Sequence, residues 1–409
     1  MLYLEKRHET LSDEPWSEIK ASATIDTIVQ QCLALFQADN LWPLHPDLIE
    51  NYDLKQTPTS LWHGTAGTIW ALTQLHLTNN NLPSVNFEPY LDLLINRQSE
   101  WLSQIDASLK IDPATPGYLL GYTGAYMVQW RIKKDPNILN KIEQLIQTNI
   151  NNPNNELMWA APGMMLVALF LHKDTKEKRW LDLYHQAAIY MLSIYKYDEN
   201  IDSKIWTQYM YGSEAKHLGL VHGFAGNAVA LLKGIHLFEA TQQRKIIDDI
   251  ERTFINTAIV EDELANWLPC VGKPRPGRED MLVHICHGAP GMAIGLADLW
   301  ELGSKKSQAL LLKAGNLVWA AGPLEKPWGL CHGTAGNGYV FLKLYDLTKE
   351  EIWLTRARQF GMHAIKQYEQ AAEKYGMIRT DAWCGDLGLA LFLQSCIAQN
   401  SEFPMIDYF

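Results

Sequence analysis

The sequence predicts an all-α protein, an α/α toroid with seven inner and seven outer helices in a double-layered barrel, and three observations lead to this. A Gly-x-x-Gly pattern recurs seven times along the 409 residues, each time followed by an apolar stretch of helical length. Amphipathic stretches lie between the copies. No stretch alternates apolar and polar residues well enough to indicate a strand-rich domain.

The seven copies share two positions that lie three residues apart. The first position is glycine in six copies and alanine in one, and the second is always glycine. The pairs are Gly64 and Gly67, Gly121 and Gly124, Ala160 and Gly163, Gly223 and Gly226, Gly288 and Gly291, Gly333 and Gly336, and Gly385 and Gly388. We expect the first glycine to permit a tight or positive-φ turn, and the second to let another backbone approach the start of a helix.

The stretches after the copies and those between them differ in polarity. Those after the copies, such as AVALLKGIHLF, are apolar on nearly every face, which is typical of helices buried on all sides. Those between the copies show the i, i+3, i+4 apolar spacing of a helix with one solvated face. They cover residues 88–106, 136–150, 178–195, 241–259, 305–318 and 350–370. Because the inner stretches stay apolar from first to last, a closed ring is favoured over an open solenoid with polar caps.

A single domain over residues 1–409 is predicted, although length alone would allow two or three domains. No linker rich in Gly, Ser or charge divides the chain. The segment 263–280 is rich in Pro, Gly and charge and is interpreted as a long ordered loop before the fifth copy, of the kind that often carries function. In a closed ring all seven turns lie at one end, so residues beside them would converge on one mouth.

Composition excludes several classes of protein. The 35 basic and 46 acidic residues give a net charge of −11, which argues against nucleic acid as a partner. No apolar run approaches the ~20 residues of a membrane span, and the charged N-terminus does not resemble a secretory signal. Six cysteines are too few for a disulfide scaffold. We therefore expect a cytoplasmic protein with free thiols, with delivery into a host cell as an open alternative.

Cysteine and histidine are concentrated directly before the Gly-x-x-Gly turns. Three of the six cysteines and four of the thirteen histidines stand there: His63, His222, Cys286, His287, Cys331, His332 and Cys384. Thiolate and imidazole donors together favour Zn²⁺. From spacing alone, a metal site in the second half of the chain and a set of buried packing residues remain equal alternatives. Packing is favoured for His63, which follows Trp62, and for Cys384.

The sequence resembles the LanC-like proteins, relatives of the lanthipeptide cyclases, in the runs LVHGFAGNA, LVHICHGAPG and WGLCHGTAGNGYVFL. The resemblance covers all seven repeats and is closest to the eukaryotic-type, glutathione-binding branch, through NWLPCVGKPRPGREDMLVHICHGAPG, Lys326 and the ending SEFPMIDYF. It implies an α/α toroid with one zinc ion per chain at the mouth. The positions that match the family's zinc ligands are Cys286, Cys331 and His332, which leave a fourth coordination position for water or a substrate thiol.

The resemblance also implies an enzyme that forms lanthionine-type thioethers by Michael addition. A thiol, glutathione in this branch, adds to dehydroalanine or dehydrobutyrine in a peptide or protein. His222 matches the family's acid/base histidine, which would protonate the α-carbon. Lys326 would hold an anionic group of the substrate or stabilise the enolate, and Arg379 occupies a place similar to that of a basic residue near the pocket of the family. Together they would suit the carboxylates of glutathione, and a role as plain surface charges is the equal alternative for both. Since no kinase or dehydratase module is visible in the sequence, another protein of one of these kinds would have to make the dehydroamino acid.

Three alternatives stay open at this stage. The first is a lanthipeptide cyclase that uses a cysteine of its own peptide substrate. The second is a non-catalytic adaptor that binds zinc and glutathione through the same residues. The third, an unrelated toroid such as a glycosidase or a prenyltransferase, is disfavoured because only Asp386 stands within a repeat turn, whereas glycosidases need paired carboxylates.

Two copies depart from the family pattern. The third copy reads WAAPG, with Ala160 in the first glycine position. In the seventh copy, Cys384 stands where the eukaryotic branch typically has an acidic residue before the first glycine. This second departure leaves the detailed chemistry of the pocket open, with a different acceptor as one alternative.

Overall fold

The structure is a computed structural model that describes residues 2–52, 55–105, 115–210, 212–272, 281–326 and 328–409. Within these residues, seventeen α-helices and seven short β-strands follow one another along the chain. Most of the helices form an inner and an outer layer, so the predicted α/α toroid is confirmed.

Seven inner helices form the ring, and each begins directly after the first position of a Gly-x-x-Gly copy. They are α3 (Thr65–Thr78), α6 (Tyr122–Lys133), α8 (Ala161–Thr175), α10 (Phe224–Lys233), α12 (Ala289–Gly295), α15 (Thr334–Thr348) and α17 (Asp386–Ala398). The ring closes because α17 contacts α3. All seven turns therefore lie at one end of the barrel, as the repeat predicted.

The outer helices surround this ring, and each predicted amphipathic stretch overlaps at least one of them. They are α1 (Glu18–Ala34), the broken pair α4 (Leu91–Asn96) and α5 (Gln98–Ile105), α7 (Pro136–Asn149), α9 (Lys178–Ser193), α11 (Ala240–Asn256), α14 (Lys305–Ala321) and α16 (Glu351–Tyr375). In α7, Ile138, Ile142 and Ile146 are buried at four-residue intervals, which is the stripe that a helix turns toward a core. Two short helices complete the set: α2 (Pro46–Tyr52) and α13 (Leu299–Leu302).

The second glycine of every copy is required by a close backbone approach. A Cβ atom at any of these seven positions would lie closer than 3.0 Å to the carbonyl oxygen of the residue six positions earlier. The first glycine behaves differently from our expectation. Only Gly288, with φ of 90°, has a positive φ, and the other six copies are extended at this position. Alanine therefore fits the third copy, where Ala160 has φ of −124°.

Three small antiparallel sheets stand between α9 and α12, and the sequence did not predict them. Their strands are β1 (Lys196–Asp198), β2 (Ser203–Ile205), β3 (Gln208–Met210), β4 (Ser213–His217), β5 (Ile259–Glu261), β6 (Leu264–Asn266) and β7 (Cys270–Val271). The sheets pair β1 with β2, β4 with β3 and β7, and β5 with β6. Strands of two to five residues are too short for alternation to reveal them. In the predicted loop 263–280, β6 and β7 are present, and residues 273–280 lie outside the described residues.

The C-terminal segment 401–409, which we call the plug, fills the interior of the ring. Phe403, Met405 and Ile406 are buried in the main core. The Tyr118 hydroxyl donates a hydrogen bond of 2.9 Å to the Met405 carbonyl, and the Trp383 indole nitrogen lies 3.0 Å from the Met405 sulfur. Both aromatic residues come shortly before inner-helix turns, so the plug reaches the underside of the mouth.

Among the described residues, no helix is both long and apolar enough to cross a membrane.

Candidate metal centre

Backbone hydrogen bonds hold the turns of neighbouring copies in register around the mouth. Trp62 N donates to Leu119 O at 3.0 Å, Leu119 N to Met158 O at 3.2 Å, and Cys331 N to Trp383 O at 2.7 Å. Each bond joins the residue two positions before one turn's first position to the equivalent residue of the next copy. The side chains that precede the turns therefore converge, although 39 or more residues separate the bonded partners in the chain.

The three predicted ligands lie together beneath the mouth. Cys331 Sγ is 3.5 Å from His332 Nε2, ligand atoms of Cys286 and His332 lie within 4.8 Å of each other, and Cys331 is close enough to Cys286 to influence its thiol. The two thiols are buried and the imidazole is partly buried. Two sulfur donors and one nitrogen donor within contact of one another form a ligand set that zinc prefers in proteins.

The charges of these residues also suit a cation. Burial would raise the pKa of the Cys286 thiol, but hydrogen bonding to Cys331 and the charge of His332 lower it to about 5. Burial would lower the pKa of His332, but the charge and hydrogen bond of Cys286 raise it to about 10. A buried thiolate is thus balanced by an imidazolium at the place where a metal would supply the positive charge. The donor set fits zinc.

His284 adds a donor that the sequence reasoning missed. Ligand atoms of His284, Cys286 and His332 lie within 4.8 Å of one another. Burial, followed by the positive charge of His332, lowers the pKa of His284 well below its usual value, so its imidazole is neutral and able to bind a metal. Backbone hydrogen bonds between His284 and His287, of 3.0 and 3.1 Å, fold the chain back and bring this residue to the site. His284 stands four residues before Gly288, outside the positions directly before the turns where cysteine and histidine are concentrated.

The structure places Cys384 and His63 in the same cluster, which differs from the packing roles expected for them. Ligand atoms of His63, Asp381 and Cys384 lie within 4.8 Å of one another, and Cys331 and His332 are close enough to influence the Cys384 thiol. The hydrogen bond with Cys331 and the contacts with both imidazoles hold the pKa of the Cys384 thiol well below its usual range, against the effect of burial. The enrichment of cysteine before the turns was the sign that could have placed Cys384 here. Six residues form what we call the mouth cluster: His63, His284, Cys286, Cys331, His332 and Cys384.

His222, the predicted acid/base residue, is held by a buried carboxylate beside this cluster. Its Nδ1 lies 2.9 Å from Glu156 Oε2, and Glu156 is fully buried. Glu156 also accepts hydrogen bonds from the backbone nitrogens of Met158 and Trp159, which fix its orientation. Burial would lower the pKa of His222, but Glu156 and the charge of Cys286 outweigh it and raise that pKa.

Glu156 was not identified from the sequence. It lies 66 residues from His222 in the chain, before a different turn. One sign was available, because Glu156 is a lone acid at the start of the apolar run LMWAAPGMMLVALF. Most acidic side chains stay exposed unless they have a buried partner, so an acid in such a run indicates a specific role.

The two predicted anion-binding residues, Lys326 and Arg379, line one cleft of about 280 Å³. Lys326 is exposed. Arg379 is buried, and its guanidinium donates to Asp381 and Asp47, each at 2.7 Å. Burial would lower the pKa of Arg379, but Asp381 and its other anionic neighbours raise it. Arg379 is thus largely neutralised within the protein, which makes Lys326 the stronger candidate for an anionic substrate.

Comparison with known proteins identifies relatives of this chain. The zebrafish (Danio rerio) protein called glutathione S-transferase LANCL1 is 27% identical over 232 residues, which are 54% of this chain and 55% of that protein. The Arabidopsis thaliana LanC-like protein GCL1 is 42% identical over 101 residues, which are 24% of this chain and 22% of that protein. The matches therefore span about half and about a fifth of the two relatives' lengths.

A solved structure and a family model give broader agreement. The structure of nisin cyclase superposes with a TM-score of 0.58 at 15% identity, covering 92% of this chain and 94% of the cyclase, which shows a shared fold. The family model for lanthionine synthetase C-like proteins matches residues 55–407, which include all seven turns. The chain belongs to the lanthionine synthetase C-like family.

Proposed function

We propose that the chain is a zinc-dependent enzyme that adds glutathione to dehydroalanine or dehydrobutyrine in peptides or proteins and thereby forms a thioether. One observation carries the proposal. A buried set of thiol and imidazole donors stands beside a histidine that a buried carboxylate holds in place. The name of the zebrafish relative supports glutathione as the thiol.

One zinc ion per chain would be held by Cys286, Cys331 and His332. When bound, zinc favours the thiolate form of an incoming thiol, which is the nucleophilic form. Because the pKa of His332 is raised beside the Cys286 thiolate, uptake of the metal would displace a proton from this imidazole.

His222 would supply the proton that completes the addition. A lone pair of the sulfur forms the bond to the β-carbon, and the π electrons of the alkene move onto the adjacent carbonyl oxygen as an enolate. The α-carbon then takes a proton as the carbonyl re-forms, so the net change is addition of S–H across the double bond. Because Nδ1 of His222 is hydrogen-bonded to Glu156, Nε2 would be the atom that transfers the proton to the substrate. The raised pKa of His222 keeps it protonated for this step.

Lys326 would bind a carboxylate of glutathione at the cleft. Two observations support a position of Lys326 near the metal centre: it stands five residues before Cys331, and its charge contributes to lowering the pKa of His284 in the mouth cluster. Arg379 would act chiefly by holding Asp47 and Asp381 in the wall of the cleft. A kinase or dehydratase is still required upstream, to make the dehydroamino acid.

We propose further that residues 1–409 form a single domain and that it works in the cytoplasm. The N-terminal helix α1 packs on α17 and α16, and the plug fills the ring, so both ends of the chain contribute to one core. All six cysteines are free, which suits a compartment where glutathione keeps thiols reduced.

The test combines a metal assay with a turnover assay. Zinc-loaded protein is incubated with glutathione and a dehydrobutyrine peptide, and the product is followed by mass spectrometry. We expect an adduct that carries one glutathione, about one zinc per chain, and loss of both in Cys331→Ala. Cys396→Ala is the matched control, because Cys396 is a buried cysteine of α17 outside the mouth cluster.

Three outcomes would contradict the proposal in different ways. A well-folded wild-type chain without zinc would exclude the metal chemistry. Zinc without an adduct would exclude glutathione transfer. If a peptide with its own cysteine then cyclised, the cyclase alternative would replace the transferase, and if nothing reacted the chain would be a zinc-binding adaptor.

A further inference from the structure

A second cavity lies at the end of the barrel opposite the mouth. It has a volume of about 460 Å³, and its lining comes from the later turns of the inner helices α3, α6 and α8 and from the end of the plug. Each inner helix begins at a turn of the mouth and rises ~1.5 Å per residue, so most of this lining stands roughly 12–20 Å along the helix axes from the mouth. We call it the far cavity.

Aromatic side chains form the walls of the far cavity. Trp130, Phe170, Tyr408 and Phe409 line it, and each is partly buried, so part of every ring stays accessible. The ring centroids of Phe170 and Phe409 are 6.2 Å apart, with 30° between the ring planes. Small-molecule sites are typically cavities of ~300–1,000 Å³ with a mostly apolar lining and few polar groups. The size and the walls of the far cavity therefore suit a ligand with a flat apolar body.

One partly buried cation, Arg131, lines the far cavity without an opposite charge. Its Nη2 donates a hydrogen bond of 2.7 Å to the neutral Gln74 side chain of α3. The acid nearby, Asp174, is already engaged by Lys134 Nζ at 2.6 Å and by Trp130 Nε1 at 2.7 Å. Among the residues that the structure describes, no carboxylate side chain forms an ion pair with Arg131. Burial lowers the pKa of Arg131, so an anion in the cavity would relieve the cost of this charge.

The other charges of the lining have the same sign. Lys134 and Lys173 are exposed and join Arg131, and Asp174 opposes them, so the described lining carries a net positive charge in a chain of net charge −11. Lysines at the ends of α6 and α8 are expected, because cations stabilise the negative end of a helix dipole. That account does not cover Arg131, whose guanidinium is bonded to Gln74 of another helix.

We propose that the far cavity binds a small anion with a flat apolar body, such as an aromatic carboxylate, whose charge lies on Arg131 and whose ring packs against Trp130, Phe170 and Phe409. The guanidinium has five N–H donors, so it can bind a carboxylate and keep its hydrogen bond to Gln74. The site shares no residue with the proposed metal centre, so the inference does not rest on the proposed function.

Isothermal titration calorimetry of the full chain with 2-naphthoate tests the proposal, and the uncharged 2-naphthamide is the matched ligand. We expect one 2-naphthoate per chain and at least about tenfold weaker binding of the amide. Arg131→Gln should weaken binding of 2-naphthoate by about 10- to 100-fold. Arg244→Gln, at an exposed position of the outer helix α11, is the matched control and should leave the Kd unchanged. Lys326→Ala should also leave it unchanged, which places the probe away from the cleft at the mouth.

Four results would overturn the inference. They are no binding of 2-naphthoate at millimolar concentration, equal affinity for acid and amide, an unchanged Kd in Arg131→Gln, and a weaker Kd in Lys326→Ala. If Arg131→Gln fails to fold, the preference of the wild type for the acid still decides, together with Trp130→Leu, which should weaken both ligands alike. A folded chain without zinc would reject the proposed function and leave this inference standing.

Discussion

The mouth cluster and the plug bury ionisable groups on the same barrel, and they differ in whether the protein supplies the opposite charge. In the plug, the Asp407 carboxylate lies 2.5 Å from Lys233 Nζ and 2.9 Å from Lys343 Nζ, and it accepts a hydrogen bond of 2.7 Å from Phe403 N. In the mouth cluster, the pKa values of two thiols, Cys286 and Cys384, are lowered, and the one raised imidazole pKa, that of His332, supplies a single positive charge against them.

This difference separates a stabilising site from the proposed functional one. Buried charges that are fully paired by the chain hold a fold together, whereas donors with too few internal partners favour an added cation. Sequence composition does not show the contrast, because it does not say which side chains meet in the folded chain. Substitutions in the two regions should therefore affect different quantities, turnover at the mouth and free energy of unfolding at the plug.

The largest expected effect is on turnover at the mouth. His222→Gln should lower the rate of glutathione addition by about 10²–10⁴, because the proton donor for the α-carbon is lost. Zinc content and the free energy of unfolding should change little. Glu156→Gln, which removes the charge that raises the pKa of His222, should cause a smaller loss. Steady-state kinetics with metal analysis checks this, and an unchanged rate in His222→Gln would exclude the histidine as the acid.

The plug should show a large loss of stability with no change in metal content. Asp407→Asn leaves Lys233 and Lys343 unpaired and should lower the free energy of unfolding by about 3–5 kcal/mol at pH 7. Asp248→Asn, which breaks the exposed pair with Arg244, is the control and should cost about 0.5 kcal/mol or less. Urea unfolding measures both. Equal effects at the two sites would mean that the buried pairing adds nothing.

The stability that Asp407 contributes should depend on pH in a defined direction. Burial would raise the pKa of Asp407, but the charges of Lys343 and Lys233 hold it well below its usual range. A lowered folded-state pKa gives stabilisation that is fully present above the unfolded value of about 3.9 and is lost as the pH falls below it. The difference between wild type and Asp407→Asn should therefore shrink between pH 5 and pH 2. A constant difference would contradict this.

Substitution of Gly336, whose close packing holds the turn after Cys331, should affect both the free energy of unfolding and zinc binding. In Gly336→Ala the new Cβ would clash with the Leu330 carbonyl, directly before Cys331, so we expect a loss of about 1–3 kcal/mol and weaker zinc binding. Gly361→Ala is the control, because a Cβ there meets only the ends of side chains, at 3.3 Å or more. Thermal unfolding and zinc competition measure the two effects. If Gly336→Ala is destabilised but binds zinc with unchanged affinity, the geometry of this turn does not control the metal site.

The smallest effect is expected at the exposed edge of the cleft. Lys326→Ala should raise the KM for glutathione about two- to fivefold and leave kcat unchanged, because an exposed charge contributes to binding alone. Lys306→Ala, at an exposed position of the outer helix α14, is the matched control. The measurement is the KM for glutathione of Lys326→Ala divided by that of Lys306→Ala. A fall in kcat would place Lys326 at the reacting atoms instead.

Much of the fold could be predicted because its determinants are local. The Gly-x-x-Gly turns and the apolar spacing each lie within one copy, so they indicated the inner helices and most of the outer ones. The convergence of Cys286, Cys331 and His332 followed from the repeat, because equivalent turns of a closed ring lie at one end. The short sheets between α9 and α12 gave no such pattern, since each strand has five residues or fewer.

The sequence by itself thus determined the toroid, the end at which its turns gather and the donor types that meet there. Only the tertiary structure decided that Glu156 holds His222, that Asp47 neutralises Arg379 and that Cys384 lies with His63 and Asp381. The pairs His222–Glu156 and Arg379–Asp47 lie 66 and 332 residues apart in the chain. The physical reason is that a side chain's charge and hydrogen bonds depend on neighbours from other copies, and closure of the ring brings those neighbours into contact.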